Sequence, residues 1–529
     1  MANLRVLRTD DFTGGLNLRA DPFQLSDNES PDLLNVDIDP KGGFSMRYGF
    51  DRLHTTAIGA IANGSFLPRK IFHWATPTPQ LLVAANGKVF FSTGSTFTDT
   101  TITTTWADGA SFAPWSGSSL NVVYVACGSG TSQMAKWNGS TRTLLTASGT
   151  GQWQDSLSTP TGTHMPRADH AATHVDRLWV ASTLEDGVAY PNRVRFSHPN
   201  QPESWRAADY IDIVAGGSGI TAIVPFNGAL VVFKRNSIHA IYGFDTDTFQ
   251  VVTLTESLGV PNSQCVAPTE RGLYFFHWPE GLFRWDGNGI EDLFEKLRPM
   301  LTAGDVNQTA VGNIWLSHAN NRVWLSLPMG TNTNPSVTFV FDPTIEAWTR
   351  YQCGCGNGLA GLSDFVTSTG ARLYLALHPT QPYVLKVDTP GLVQDNITGT
   401  AMNFSSYYTT KWHDAGVVSA KKMWRRPDFV VKQPTASTAL TVSVYHDWEE
   451  ASARRTNQLV VGAGATTALV WGSSAWGTAS WGANAAGSQF ERGTNLGLAR
   501  SIQLKVAGPG GQAWGVNSIS YKYVPRRVR

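Results

Sequence analysis

The feature that most narrows the fold is a short theme that recurs along the middle of the chain. One or two turn residues precede four or five strand-forming residues with an aromatic among them. It occurs as KVFFS at 88–92, NVVYVA at 121–126, RLWVAS at 177–182, ALVVFK at 229–234, GLYFFH at 272–277, RVWLSL at 322–327 and RLYLAL at 372–377. Successive copies start 43 to 56 residues apart, apart from one step of 33. Most are followed by a partner strand, as in MAKWNG at 134–139, RVRFSH at 193–198, SIHAIYG at 237–243, GLFRWDG at 281–287, TFVFDPTIEAW at 338–348 and YVLKVD at 383–388. Gly, Asn, Asp or Pro turns join the pairs, as hairpins require. A repeat of this length made of several short strands has the propeller period. A four-stranded blade has two apolar faces and cannot bury both alone; packing blades around an axis buries them and leaves only short protected edges. The spacing predicts an all-β chain with a β-propeller of six to seven blades over residues 51–394.

Composition agrees. With 529 residues the chain exceeds the size at which one core stops growing, so more than one domain is expected. Apolar residues make up 42% and charged residues 15%, too little charge for a disordered chain. Fifty-one Gly and 19 Trp suit short strands joined by tight turns. A net charge of +1 lacks the basic excess of a non-specific DNA binder, whose affinity comes from displacing counterions on phosphate. The four cysteines, Cys127, Cys265, Cys353 and Cys355, do not form a zinc ligand set with a nearby His and read as free thiols of a reducing compartment. MANLRVLRTDDF at the start has no apolar signal region, and no stretch of 18 apolar residues occurs, so no membrane insertion is expected.

Helix signals are few. SDNESPDLLN at 26–35 places Ser26 and Glu29 in capping-box spacing and predicts a short helix. IEDLFEKLRPML at 290–301 spaces Leu293, Phe294, Leu297 and Met300 for a second helix that Pro299 ends or kinks. From about residue 395 to 529 the pattern becomes period-two alternation, as in LTVSVYHDWE, SIQLKVAG and GVNSISYKYVP, which predicts a second all-β domain resembling a two-sheet sandwich. Within it, VWGSSAWGTASWGANAAG carries Trp471, Trp476 and Trp481 every five residues, without charge, and is expected to be a contact loop or to fold back on the sandwich.

Residues 11–50 hold a distinctive frame: Phe12, Gly14-Gly15, Asn17, Leu25, Glu29, Asn35, Gly42-Gly43, Arg47 and Gly49. This frame resembles the opening of tail nozzle and packaged-DNA stabilization proteins of short-tailed bacteriophages and of related propeller-bearing tail proteins. The resemblance covers about 40 residues; the rest agrees in architecture only. It implies a structural virion protein, assembled in the host cytoplasm. As a ring of about six copies, such a protein extends the DNA channel below the portal and adaptor and retains the genome until ejection. The implied partners are other copies of the chain, the adaptor and portal, tail fibres or spikes, and genomic DNA in passage. On the residues themselves, Gly14-Gly15 and Gly42-Gly43 permit sharp turns, and Arg47 is expected to pair with Asp37, Asp39 or a neighbouring subunit.

Nothing in the sequence assembles into catalytic machinery: there is no GxSxG, HExxH or P-loop, so no enzyme, cofactor or metal is expected. Asp209 with Asp212 and Glu449 with Glu450 are carboxylate pairs without a partner frame, and His164, His170 and His174 run straight into a strand. Lys421, Lys422, Arg425 and Arg426 around Trp424, with Arg526, Arg527 and Arg529, read as a protected strand edge or a salt-bridge surface for a neighbouring subunit rather than a DNA site. The alternative function is receptor or glycan binding, with the propeller faces or the Trp471–Trp481 segment stacking on sugars.

Overall fold

A computed structural model describes the whole chain except residues 1–3, 76–77, 93, 106–107, 118–119, 131, 148–163, 186, 433, 435, 463–487 and 526–529. Seven antiparallel four-stranded sheets succeed one another along the described chain. Their first strands are Pro68–Trp74, Ser111–Ser116, Arg167–His174, Ile220–Phe226, Val266–Thr269, Trp315–Ala319 and Ala360–Val366. These strands contact one another in sequence order, and the seventh returns to the first, so the sheets close a seven-bladed β-propeller.

Apolar layers fill the gaps between blades. Leu82 and Val123 share one buried cluster between blades 1 and 2, Tyr124 and Val180 another between 2 and 3, and Trp179 and Val232 a third between 3 and 4. Trp324 with Ala376 fills the space between blades 6 and 7, and Leu375 with Val83 closes 7 onto 1. Each such side chain, fully buried, contributes ~1.5–3 kcal/mol relative to exposure. Second strands lie between two neighbouring blades on both faces. Gln80–Ala85, Ala229–Lys234 and Gly272–His277 are accordingly buried at every position. This explains the sequence theme, because six of its seven copies are second strands. The exception is KVFFS, the third strand of blade 1; the true second strand there is Gln80–Ala85, which lacks an aromatic. That slip produced the short step of 33.

Blade 7 is closed by a strand from the start of the chain. Asp51–Arg52 pairs antiparallel with Val384–Val387, with Leu385 opposite Arg52 and Lys386 opposite Asp51. An ion pair between Lys386 Nζ and Asp51 Oδ2, 2.9 Å, reinforces the closure.

The remaining residues form two packed sheets. One runs in the order Asp32–Leu34, Tyr407–Thr409, Ile502–Ala507, Thr438–His446, Arg455–Val461. The other is built on Gly515–Pro525, with Asp428–Lys432, Lys422–Trp424, Arg5–Thr9 and Phe44–Met46 paired to it. Thr438–His446 alternates buried and half-buried, as its sequence predicted, so Leu440, Val442 and Val444 face the second sheet's Trp424, Phe429 and Tyr521 in one cluster. The two-sheet reading of residues 395–529 therefore agrees with the structure, but its boundary does not. Residues 1–50 supply strands to both sheets of the sandwich: Asp32–Leu34 pairs with Tyr407–Thr409, and Arg5–Thr9 and Phe44–Met46 pair with Gly515–Pro525.

Both helix expectations need correction. At 26–35 only half of a capping box forms: the Ser26 amide donates to Glu29 Oε2 at 3.2 Å, while the Glu29 amide donates to the Ser26 backbone carbonyl at 3.1 Å rather than to its hydroxyl. They close a single turn, after which Glu29–Ser30 pairs in parallel with Gly15–Leu16 and Asp32–Leu34 joins the sandwich. Tertiary pairing outweighs a local cap. At 290–301 the first residues, Ile290–Asp292, are the outer strand of blade 5, and the helix is Arg298–Thr302. Pro299 opens it rather than ending it, since a first-turn proline gives up no helical hydrogen bond. The cysteine reading is also corrected. Cys127 and Cys265 are free and buried, but Cys353 and Cys355 form a disulfide, with Cα atoms 5.1 Å apart around Gly354.

Candidate functional site

The frame residues of the N-terminal segment converge on the seam between propeller and sandwich. Phe12 is buried and packs edge-on against Phe44 at 4.9 Å and Tyr408 at 5.3 Å. The Phe12 amide donates to the Gly42 carbonyl, which ties the two Gly-Gly turns together. Gly15 has φ +67°, and a Cβ there would lie 2.7 Å from the Trp348 carbonyl of blade 6. Gly14 donates to the Asn28 carbonyl, and the Asn17 side chain accepts from the amides of Arg19 and Ala20. Glu29 pairs with Lys296 at 3.0 Å. Burial acts to raise its pKa, but hydrogen bonds from Lys296, the Ser26 amide and Asn17 outweigh that and hold the carboxyl below its usual range.

Arg47 is the centre of the seam. Its side chain is 0% exposed, as is that of Asp395. Nε donates to Asn35 Oδ1 at 2.8 Å. One terminal nitrogen donates to Asp395 Oδ1 at 3.0 Å and the Tyr48 carbonyl at 2.7 Å. The other donates to Asp395 Oδ2 and the Gln352 carbonyl, each at 2.9 Å. All five guanidinium protons are thus used, and the plane is sandwiched between Phe50 at 3.9 Å and Phe404 at 3.8 Å. Asn35, held at φ 53°, accepts from Gln352 and donates to the Ser405 carbonyl. The fork therefore joins the N-terminal segment, blade 6 and the chain entering the sandwich.

The expected partners of Arg47 are engaged elsewhere. Asp37 binds Arg322 at 2.8 Å and accepts from the Tyr351 hydroxyl. Burial and the Asp37 charge push the Tyr351 phenol well above its usual range, so it remains a donor. Asp39 reaches Lys432 at 3.4 Å, and Asp32 binds Arg350 at 2.7 Å. Phe12, Gly14, Gly15, Asn17, Glu29, Asn35 and Arg47, the frame residues expected at an assembly interface, make these contacts within the chain, and Phe12, Asn35 and Arg47 are buried in it. No sequence signal pointed to Asp395, Gln352 or Phe404, which the fold brings from far along the chain.

Of the basic group, Lys421, Arg425 and Arg426 are exposed. Lys422 is not: it is buried, donates to the carbonyls of Val417 and Arg500, and burial lowers its pKa. It closes a turn rather than contributing to a surface. Trp471, Trp476 and Trp481, like Arg526, Arg527 and Arg529, lie outside the described residues.

Among the described residues two further groups of reactive side chains stand out. Near the propeller axis Lys70 and His170 lie in the field of Asp108, which accepts from the Ser263 amide at 3.1 Å; burial lowers the pKa of both bases. Cys353 and Cys355, on the blade 6 to blade 7 connection, and His378, just after the second strand of blade 7, place their ligand atoms within 4.8 Å of one another. The sequence reading had found no His near these cysteines. His378 Nδ1 accepts from the amides of Thr380 at 3.1 Å and Gln381 at 2.9 Å, so the ring proton sits on Nε2, which faces Cys355 Sγ at 3.3 Å. A metal at Nε2 would need that proton removed while Nδ1 keeps both donors, which an imidazole resists; the trio does not fit a resident metal.

No protein-family model matches the chain, and no curated protein matches it. Among solved structures it is similar to the extracellular domain of a putative one component system from B. thetaiotaomicron, at 12% identity and a TM-score of 0.38, over 68% of this chain and 44% of that one. The chain thus spans less than half the length of that neighbour. It is also similar to BBS1N from a complex with ARL6DN, at 10% identity and a TM-score of 0.40, over 66% of this chain and 98% of that one. The propeller itself rests on the sheet topology. No helix among the described residues is long and apolar enough to cross a membrane.

Proposed function

We propose that this chain is a structural component of a bacteriophage tail, a ring subunit that extends the DNA channel below the portal and adaptor and helps retain and then release the genome. The observation that carries the reading is where the frame resembling nozzle proteins lies. Phe12 to Gly49 is the segment that locks propeller and sandwich together, with Arg47 at its centre. A frame that fixes the relative position of two bodies is what a ring subunit needs, since a small angular error per copy prevents closure. A net charge of +1 suits a conduit through which DNA slides, because a strongly basic lumen would hold it. In this reading the chain is not an enzyme and takes no cofactor. Its partners are further copies of itself, about six in a ring, the adaptor and portal, and tail fibres or spikes.

The test is to purify particles of the phage that encodes the chain, count copies by quantitative mass spectrometry, and locate it by cryo-electron microscopy. Six copies around the tail axis below the adaptor are expected; copies confined to fibre tips would overturn the reading.

One observation favours a second reading, a receptor- or glycan-binding tail protein. Arg455–Val461 and Ser488–Arg492, which flank residues 463–487, expose Val460 at 62% and Phe490 at 58%. Apolar groups open to solvent beside a segment with three tryptophans suit a contact surface. Binding of host surface polysaccharide by the isolated chain, lost on replacing Trp471, Trp476 and Trp481, would favour it.

A further inference from the structure

Cys353 packs at the edge of the seam, in one buried cluster with Phe50 and Ile397, and the surroundings of the Cys353–Cys355 pair are organised around its two sulfurs. Cys353 is 5% exposed, whereas Cys355 is the more accessible of the two, with its contact to His378 half-buried. Cys353 Sγ accepts from the backbone amides of Cys355 at 3.2 Å and Asn357 at 3.3 Å. Cys355 Sγ faces the Nε2 proton of His378 at 3.3 Å and the side-chain amide of Asn357 at 3.6 Å. Donors aimed at sulfur stabilise a thiolate more than a thiol or a disulfide. Cys127 and Cys265, the other two cysteines, are buried and lack access; burial pushes the Cys127 thiol up to about 12 and the Cys265 thiol well above its usual value.

We propose that Cys353–Cys355 is a redox-active disulfide that exchanges with a dithiol reductant through Cys355, with His378 as the positioning donor for the Cys355 thiolate. In the first step a thiolate of the reductant attacks Cys355 Sγ, the more accessible sulfur. The bond to Cys353 breaks, and its electron pair leaves on Cys353 Sγ, where the amides of Cys355 and Asn357 receive it. The reductant's second thiolate then attacks its own sulfur in the mixed disulfide and releases Cys355 as a thiolate facing His378. The protein disulfide gains two electrons and the reductant loses two as it closes its own disulfide. The two protons shed by the reductant's thiols pass through solvent to Cys353 and Cys355.

The geometry also fixes what His378 contributes. Burial lowers its pKa to about 3, so the ring is neutral at physiological pH and acts as a hydrogen-bond donor, not as a charge. The reactivity of Cys355 should then follow the thiol's own ionisation, with no inflection near the ordinary histidine value.

A structural consequence is built in. The Gly354 amide, between the two sulfurs, donates to Asp395 Oδ2 at 2.8 Å, the same oxygen that Arg47 holds. The redox state of the pair is thereby wired to the seam.

The experiment uses the full-length protein, equilibrated with dithiothreitol and trapped with iodoacetamide under native conditions. Before reduction no cysteine should be labelled; after it, Cys355 should be labelled first and Cys353 more slowly, with Cys127 and Cys265 untouched. A limiting monothiol should be captured as a mixed disulfide on Cys355. In the C353S background, Cys355 labelling at pH 7 should slow about tenfold on adding H378L and largely recover with H378Q, whose amide restores a donor. Labelling only after denaturation would overturn the proposal. So would free thiols at 353 and 355 after equilibration with oxidised dithiothreitol, or zinc retained one per chain that blocks labelling until chelated. If the His378 variants fail to fold, the site of the mixed disulfide in the unmodified chain still decides the matter.

Discussion

The guanidinium of Arg47 and the carboxylate of Asp395 form a bidentate ion pair, at 3.0 and 2.9 Å, although 348 positions separate them in sequence. Neither side chain is exposed to solvent, and Asp395 also accepts from the amides of Phe50 and Gly354. Both charges are fully hydrogen-bonded, which is the condition under which a buried pair persists.

Removing one partner leaves the other charge buried and alone. Asp395→Ala should cost ~3–5 kcal/mol in urea unfolding. Combining Arg47→Met with Asp395→Leu should recover a good part of that loss, because no uncompensated charge remains. A double variant as damaged as the single one would show that the polar geometry, and not charge balance, holds the seam.

Gly49 lies so close to the opposite chain that a Cβ would sit 1.9 Å from the Gln394 carbonyl oxygen. Its amide also donates to the Leu392 carbonyl. Gly49→Ala should destabilise by roughly 1–3 kcal/mol, a typical overpacking cost. Gly289→Ala, at a position with nothing within 4 Å, should stay within about 0.5 kcal/mol of the parent in the same thermal or urea unfolding measurement.

Deleting residues 1–52 removes the closing strand of blade 7 together with the strands that the N-terminal segment lends to the sandwich. Limited proteolysis of the truncated chain should cut first in blade 7 and in the exposed edges of the sandwich. Protection equal to that of the full chain would show that the propeller closes without its N-terminal strand.

How much of this was legible in the sequence depended on whether the deciding contact was local. Second strands of blades are buried on both faces, so RLWVAS and GLYFFH stand out as continuous apolar runs, and their spacing disclosed the propeller. QLLVAA carries the same burial without an aromatic, and the theme slipped to the next strand. Ser26 and Glu29 do make their local bonds, but the choice of strand over helix was made by Gly15–Leu16, a partner outside the window. Arg47 was recognisable as important; its true partner was not, because Asp37 and Asp39 lie nearer in sequence and only the closed fold brings Asp395 to it. His378 beside Cys355 was invisible for the same reason.

Acid should weaken the protein before its carboxylates titrate. Burial lowers the His413 pKa to about 4 and that of His378 to about 3, while both would titrate near 6.5 when unfolded. Between those values the unfolded chain binds protons that the folded chain does not, so stability falls as pH drops below about 6.5. Each group accounts for a loss on the order of 3 kcal/mol by pH 4. His413→Phe, which keeps a ring against Tyr521 at 4.3 Å, should flatten this limb in urea unfolding followed from pH 7 to 4. An unchanged slope would remove His413 from the account.

The most direct test of the proposed tail function is an early stop codon in this gene of the encoding phage, followed by cryo-electron microscopy of the particles. Heads that lose their DNA, or tails truncated below the adaptor, are the predicted result. Complete, DNA-filled particles that merely fail to adsorb would contradict a conduit and assign the chain to receptor binding.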